Sequence, residues 1–112
     1  MTRTLSIEAE FTRYPGPRYR KDGPYSGEEF REVLLEPRLK QAIYSHEKLE
    51  VILDKVSGYG SSFLEEAFGG LVRCGFTKKQ ITENLEIVAD TPRFTHHKLR
   101  ALSYIDDALK RK

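Results

Sequence analysis

The chain has 112 residues, 38% of them hydrophobic and 32% charged, which is the size and composition of a soluble protein with one hydrophobic core. Lys and Arg outnumber Asp and Glu by only 19 to 17, and the net charge of +2 argues against a dedicated nucleic-acid-binding protein. The single cysteine, Cys74, excludes an internal disulfide and a thiolate metal cluster. No long apolar run is present and the first residues lack a signal-peptide stretch, so we expect a cytoplasmic protein without membrane contact.

The first predicted element is a strand over residues 4–12, where apolar residues alternate with polar ones as in a strand with one buried face. The apolar positions are Leu5, Ile7, Ala9 and Phe11. Residues 13–25 are predicted to form a loop, because prolines and glycines interrupt any regular element there. The loop interleaves cations with tyrosines: Arg13, Arg18, Arg20 and Lys21 with Tyr14, Tyr19 and Tyr25. It is either a binding loop or a solvated lid packed by its own tyrosines.

A helix is predicted to begin at Ser26, because Ser26 and Glu29 have the spacing of a capping box. Pro37 has no backbone N–H to donate within a helix. We therefore expect a kink or break near Glu36, with Pro37 opening a second helical piece.

The second strand is predicted over residues 49–56, and its Val-Ile-Leu centre indicates burial on both faces. A glycine-containing turn leads into a helix over about residues 62–73, where Ser62 and Glu65 match a second capping box. Its inward stripe is Phe63, Ala67, Phe68, Leu71 and Val72. The Gly-Gly pair at positions 69–70 weakens the helix, a cost that we expect close packing on the sheet to offset.

The remaining predicted elements are a short helix from Thr77, a strand over residues 85–89 and an amphipathic helix over about residues 95–110. The final helix is expected to bury Leu99, Leu102, Ile105 and Leu109. The alternation of strands and helices predicts an α/β fold, a single domain over residues 1–112 with a small, mostly parallel or mixed sheet of three or four strands and helices packed on it. A fourth strand would come from around residues 18–20 or from a partner.

The carboxyl edge of an open parallel sheet is where the loops that leave the strands gather and where ligands bind. This rule brings together the loops 13–25, 54–62 and 90–93, which are distant in the sequence. It predicts an anion site beside the helix start at Ser61 and Ser62, suited to a phosphate or carboxylate on a partner. The candidate anion-binding residues are Arg18, Arg20, Lys21 and Arg93.

No catalytic residue, metal site or cofactor is predicted. His96 and His97 are adjacent and point about 100° apart on a helix, so they do not share a metal ion in the usual way and are expected to be surface or capping residues. A nucleophilic Ser62 would need a histidine base and an orienting acid, and the three histidines show no such pattern. Neither a Gly-x-Gly-x-x-Gly nor a Walker pattern surrounds Gly58 and Gly60. Ser62 is therefore interpreted first as an N-cap.

Residues 51–71, Val-Ile-Leu-Asp-Lys-Val-Ser-Gly-Tyr-Gly-Ser-Ser-Phe-Leu-Glu-Glu-Ala-Phe-Gly-Gly-Leu, resemble the signature of a STAS-like family of unknown function, made of small bacterial domains. The segments 11–19 and 23–30 also resemble that family. The resemblance implies a relative of the anti-sigma factor antagonist fold, in which a small α/β domain presents a serine or threonine at a helix start. In those antagonists a histidine-kinase-like ATPase phosphorylates that residue, and the added charge breaks the partner complex. The matching positions here are Ser61 and Ser62.

The leading hypothesis is a non-enzymatic regulatory module that binds a protein partner and is switched by serine phosphorylation. The predicted partner-binding residues are Ser57, Gly58, Tyr59, Gly60, Ser61, Ser62 and Phe63. The alternative is a phosphate, nucleotide or nucleic-acid-binding module that uses loop 13–25, with Tyr14 or Tyr19 stacking on a base. A small hydrolase or transferase using Ser62 or Asp54 has the least support. The sequence leaves the partner's identity and the oligomeric state open.

Overall fold

Three parallel strands form one sheet in a computed structural model of the protein, which describes residues 2–111. The strands are β1 (Thr2–Ser6), β2 (Lys48–Ile52) and β3 (Leu85–Val88). β2 lies in the middle and pairs in parallel with β1 on one side and β3 on the other. The predicted α/β fold, a parallel sheet with helices packed on it, is confirmed. Within residues 2–111 the sheet has no fourth strand, and Arg20–Asp22 forms a single 3-10 turn instead.

The sheet buries one of its two faces. The register aligns Leu5 with Val51 and Val51 with Ile87, and all three side chains are buried. Side chains alternate along a strand, so Glu50 and Ile52 lie on the opposite face, where both are half-buried. The prediction that β2 is buried on both faces is therefore wrong, because the described helices leave that second face partly open to solvent.

β1 is shorter than the predicted strand. It ends at Ser6, whose hydroxyl accepts a hydrogen bond from the N–H of Ala9 at 3.2 Å and caps a single helical turn, α1 (Ile7–Glu10). Beyond Ser6 no residue of β2 pairs with this segment, so nothing extends the strand. Ala9 is consequently exposed and Phe11 is half-buried, although the alternating pattern placed both in the core.

Helix α2 runs through Pro37 without a break. It consists of Gly27–Phe30, a π-helical segment Arg31–Leu35, and Glu36–Tyr44. Ser26 caps its start by accepting a hydrogen bond from the N–H of Glu29 at 3.0 Å, as predicted. In the π-helical segment the N–H of Glu36 donates to the carbonyl of Arg31. This π-helical turn lies directly before Pro37, which has no backbone N–H. It shifts the pattern of backbone hydrogen bonds at that point, and the helix continues without the predicted break near Glu36.

Helix α3 begins one residue before the predicted start. It consists of Ser61–Leu64, a π-helical segment Glu65–Gly69, and Gly70–Arg73. Gly60 is its N-cap residue, with an extended backbone and no side chain to donate or accept. Ser62 therefore lies inside the first turn, and its predicted role as N-cap is wrong. The predicted inward stripe is confirmed, because Phe63, Ala67, Phe68, Leu71 and Val72 are all buried.

Helices α4 (Lys78–Asn84) and α5 (Pro92–Lys110) complete the chain on either side of β3. A reciprocal capping box between Thr77 and Gln80 starts α4. The predicted apolar stripe of α5 is partly wrong, because Leu99 and Leu102 are 61% and 41% exposed. The residues that α5 buries are Phe94, His97, Ala101, Ile105 and Ala108.

Gly70, in the glycine pair of α3, makes room for a neighbouring helix. A Cβ atom on Gly70 would lie 2.5 Å from Nη1 of Arg31 in α2. A Cβ atom on Gly69 would lie 2.5 Å from Oε2 of Glu65 in α3 itself and 3.4 Å, an ordinary contact distance, from the carbonyl oxygen of Tyr104 in α5. The close packing that we predicted for these glycines therefore exists at Gly70, but it is against α2 and not against the sheet.

Candidate functional site

Asp54 joins the loops that follow β2 and β3 at the carboxyl edge of the sheet. Its side chain is buried, and Oδ2 accepts a hydrogen bond from the N–H of Asp90 at 2.9 Å. Oδ1 accepts from the N–H of Thr91 at 2.9 Å and from the hydroxyl of Thr91 at 2.7 Å. Both carboxylate oxygens are thus occupied by bonds that fix the two loops relative to each other.

Asp54 should make the stability of the protein sensitive to acid. Burial raises the pKa of its carboxyl, but the hydrogen bonds from Thr91 and Asp90 outweigh burial and hold the pKa below its ordinary value of 3.8. The ionised group therefore stabilises the fold above that ordinary value, and this stabilisation is lost as the pH falls toward the lowered pKa. We expect Asp54→Asn to cost about 1–2 kcal/mol at neutral pH. The melting temperature of the variant should also fall less steeply than that of the parent protein as the pH is lowered. Equal slopes of melting temperature against pH for the two proteins below about pH 4 would contradict this role of Asp54.

Ser57 is the point where all three edge loops meet. Its backbone N–H donates to the carbonyl of Arg13 at 2.8 Å. Its own carbonyl accepts a hydrogen bond from Nη2 of Arg93, at the start of α5. The loops that follow β1, β2 and β3 are therefore in direct contact, as the parallel sheet predicts.

Two of the predicted partner-binding residues, Tyr59 and Phe63, have buried side chains. The Tyr59 hydroxyl donates to the carbonyl of Leu53 at 2.7 Å, and its ring centroid lies 5.7 Å from that of Phe63 and 6.2 Å from that of Phe94. These rings anchor the segment 57–63 from below and do not present a surface to a partner. The sequence of the turn did not show that Tyr59 is buried, so this anchoring role could not be predicted from it.

The exposed part of segment 57–63 is formed by Ser57, Gly60, Ser61 and Ser62, with Gly58 partly exposed. Both serines of the pair lie in the first turn of α3, where backbone N–H groups have no partner within the helix. Neither hydroxyl caps the helix. Ser61 and Ser62 are therefore both exposed, and no capping role separates them.

The four predicted anion-binding residues do not form one site. Arg18 pairs with Glu65 and lies 3.6 Å from Glu66, so its charge is compensated within the loop-helix contact. Arg20 pairs with Glu32 at 3.0 Å. Lys21 lies over the ring of Tyr19, with Nζ 5.7 Å from the centroid. Arg93 is the one that lies with other cations, in a cleft it shares with Arg13 and Lys55.

Sequence reasoning missed Lys55 as a functional candidate. It directly follows Asp54 in the loop after β2, and residues that bind ligands are expected in such loops at the carboxyl edge of a parallel sheet. Its φ of 75° lies in the left-handed region that non-glycine residues rarely adopt. The available signal was its position, and the unusual backbone could be seen only in three dimensions.

His97 is buried within α5, so the prediction of a surface or capping residue is wrong for it. It is 9% exposed, and its ring centroid lies 5.3 Å from that of Tyr59. Burial lowers the pKa of His97, and the charges of His96, Arg100 and Arg93 lower it further. His97 therefore packs with the aromatic rings beneath segment 57–63, where burial favours its neutral form. Among residues 2–111 no group of three or more potential ligands could hold a metal ion.

Residues 26–92 match the family model described as the STAS-like domain of unknown function (DUF4325). The chain belongs to this family. No curated protein and no solved structure matches it significantly.

The match to the STAS-like family starts at the N-cap of α2 and ends at the first residue of α5. It therefore includes segment 57–63 and both sides of the contact between Asp54 and Thr91. Arg13 and the rest of loop 13–25 lie outside the matched residues. Within residues 2–111 of this STAS-like protein, none of the helices has the combination of length and apolar character needed to cross a bilayer.

Proposed function

We propose that this STAS-like protein is a non-enzymatic regulatory module that binds a protein partner through segment 57–63. In this proposal it works as an anti-sigma factor antagonist does, with phosphorylation of Ser61 or Ser62 by a histidine-kinase-like ATPase ending the interaction. Membership of the STAS-like family supports a regulatory role in general terms. The observation that carries the proposal is the exposed serine pair in the first turn of α3.

A phosphate at this position would change partner binding more than it changes the fold. The positive end of a helix dipole and unpaired N–H groups tolerate a negative charge at the first turn. The same charge, about −1.5 to −2 at neutral pH, disrupts an interface that has formed around neutral hydroxyls. Tyr59 and Phe63 are buried and hold the segment in place. A phosphorylated serine would therefore keep its position while its surface changes from neutral to negatively charged.

Phosphorylation should be detectable at this pair and nowhere else among the exposed serines. The purified protein would be incubated with ATP and each histidine-kinase-like ATPase encoded beside its gene, and the modified residue located by mass spectrometry. We expect one phosphate on Ser61 or Ser62, and at least tenfold weaker binding to the same ATPase for Ser61→Asp or Ser62→Asp. The matched control is Ser103→Asp, which places the charge on an exposed serine in the middle of α5.

The control variant should bind as the unmodified protein does. If Ser61→Asp and Ser62→Asp keep the melting temperature of the parent protein, their loss of binding comes from the changed surface and not from unfolding. Absence of both binding and modification with every such ATPase would contradict the proposal, as would unchanged binding by the two aspartate variants.

A further inference from the structure

A cationic cleft lies next to Ser57 at the carboxyl edge of the sheet. It has a volume of about 270 Å³ and is lined by Arg13, Tyr14, Lys55, Val56, Ser57 and Arg93. Three of these residues carry a positive charge and none carries a negative one. The volume is near the lower end of the range for small-molecule sites, about 300 Å³, which suits a small anion or a compact molecule that bears one.

The cleft is held by bonds from its own lining residues. The backbone of Ser57 connects Arg13 on one side to Arg93 on the other, through its N–H and its carbonyl respectively. The guanidinium of Arg93 also lies over the ring of Phe94, with Cζ 5.1 Å from the centroid. Phe94 is buried, so Arg93 rests on a fixed surface. Of the three cations, Arg93 therefore has its side chain held in advance, and such a group binds an anion with less loss of conformational freedom.

Lys55 adopts a backbone conformation that its side chain disfavours. Its φ of 75° is left-handed, a region that costs a residue with a Cβ free energy and that recurs at functional sites. The preceding residue, Asp54, is fixed by hydrogen bonds to the loop after β3, and this fixes where the chain turns. Lys55 therefore lines the cleft at a backbone position that glycine would adopt at a lower cost in free energy.

The acidic groups around the cleft do not neutralise it. Glu8 lies 3.9 Å from Arg13 in an exposed contact, at the outer limit of an ion pair. Asp54 keeps its negative charge but does not line the cleft, and its two oxygens bond to Asp90 and Thr91. Lys55 and Arg93 have no carboxylate partner among the ion pairs of residues 2–111. The same description does not apply to Arg18 or Arg20, whose charges are compensated by glutamates.

We infer that this cleft binds a phosphoryl dianion, either free phosphate or the phosphate of a small monoester. Guanidinium and ammonium groups are the side chains that bind phosphate most strongly, and hydroxyls of Ser57 and Tyr14 are available as further donors. Neither Ser61 nor Ser62 lines the cleft, so this site is separate from the proposed phosphorylation and is tested separately.

The test is a titration followed by two-dimensional 15N NMR at low salt, with inorganic phosphate, ribose 5-phosphate and uncharged ribose as probes. We expect saturable shifts with both phosphates at Arg13, Ser57, Arg93 and their neighbours, and none with ribose. Tighter binding of ribose 5-phosphate would assign the site to a monoester, and equal or tighter binding of inorganic phosphate would assign it to the free anion.

Lys55→Gly is the most informative variant, because glycine removes the charge and adopts the left-handed backbone without strain. It should melt at or above the temperature of the parent protein and bind phosphate about tenfold more weakly. Arg13→Ala should weaken binding to a similar extent. The matched control is Lys79→Ala, which removes an exposed lysine from α4 and should leave affinity unchanged.

Two results would overturn the inference. One is the absence of saturable shifts at the cleft with either phosphate at millimolar concentration. The other is an equal loss of affinity in Lys55→Gly and Lys79→Ala, since this would mean that the anion responds to overall charge and not to the cleft. Neither result depends on whether an ATPase phosphorylates Ser61 or Ser62.

Discussion

Replacement of Glu66 by alanine should lower the free energy of unfolding by about 3–5 kcal/mol, the largest loss we expect from a single substitution in this protein. Glu66 is the main partner of Arg31, a residue of α2 that is only 6% exposed. Nη1 of Arg31 donates to Oε2 of Glu66 at 2.6 Å and to its backbone carbonyl at 2.9 Å. Without the carboxylate, much of the buried positive charge is left uncompensated between α2 and α3.

Arg31 cannot relieve this burial by giving up its proton. Burial lowers the pKa of its guanidinium, but the hydrogen bonds to Glu66 and Glu36 outweigh burial and raise the pKa above its ordinary value. Two carboxylates remain near the guanidinium, Glu36 at 2.8 Å from Nε and Glu32 at 3.8 Å from Nη2. Nη1 keeps only the backbone carbonyl of Glu66. A guanidinium stays protonated in proteins even without this partner, so the charge persists in Glu66→Ala and the variant loses stability.

Urea unfolding measures the effect, with the slope of free energy against denaturant as the check that the folded state is otherwise unchanged. The matched control is Glu10→Ala, which removes the partner of Arg38 and leaves every ion pair of Arg31 in place. The side chains of Glu10 and Arg38 are 34% and 33% exposed, so the loss should be below about 1 kcal/mol. Equal losses in the two variants would contradict the view that burial decides the energy of these pairs.

The overall fold could be predicted because its signals are local. Apolar runs and capping residues such as Ser26 and Thr77 mark the strands and helix starts, and the strand-helix alternation requires parallel pairing. Parallel pairing in turn places the loops after the strands at one edge. The contacts of Ser57 with Arg13 and Arg93 follow from that topology, although the individual hydrogen bonds do not.

The orientation of α5 could not be predicted from its hydrophobic pattern. The pattern favoured a face containing Leu99 and Leu102, which are both exposed. The helix instead turns Ala101 and Ala108 inward, and small side chains allow a close approach to α3, where Gly69 faces the backbone of Tyr104. Such a choice depends on the shape of the partner helix, and that information is absent from the sequence of α5 alone.

Which arginines form ion pairs also could not be predicted from the sequence. Arg18 and Arg20 differ from Arg13 and Arg93 in their partners, since glutamates of α2 and α3 compensate the first two. Those glutamates are 12 to 47 positions away in the chain, so no local pattern assigns the pairs. The sequence predicted that the loops after the strands meet at one edge of the sheet, and the tertiary pairing of charges decides which of their cations lack a carboxylate partner.

Replacement of Gly27 by alanine should lower the free energy of unfolding by about 3 kcal/mol, at the upper end of the range for overpacked sites. Helix propensity alone gives the opposite sign, because alanine is favoured over glycine by about 1 kcal/mol inside a helix. At this position, however, a Cβ atom would lie 2.5 Å from the carbonyl oxygen of Phe63 and 3.1 Å from its Cα. Both contacts involve backbone atoms, so no side-chain rotation relieves them.

The same clash gives the substitution a consequence for the proposed binding surface. Phe63 lies one residue after the serine pair, and moving its backbone away from Gly27 would shift the first turn of α3 and displace Ser61 and Ser62. The matched control is Gly60→Ala, at the N-cap of that turn, where a Cβ atom would meet nothing within 4 Å and φ is −75°. We expect the control to keep its stability within about 1 kcal/mol, since alanine reduces the freedom of the unfolded chain while an N-cap favours glycine slightly. If Gly27→Ala unfolds at the same urea concentration as Gly60→Ala, the close approach of α2 to α3 does not determine the position of the serine pair.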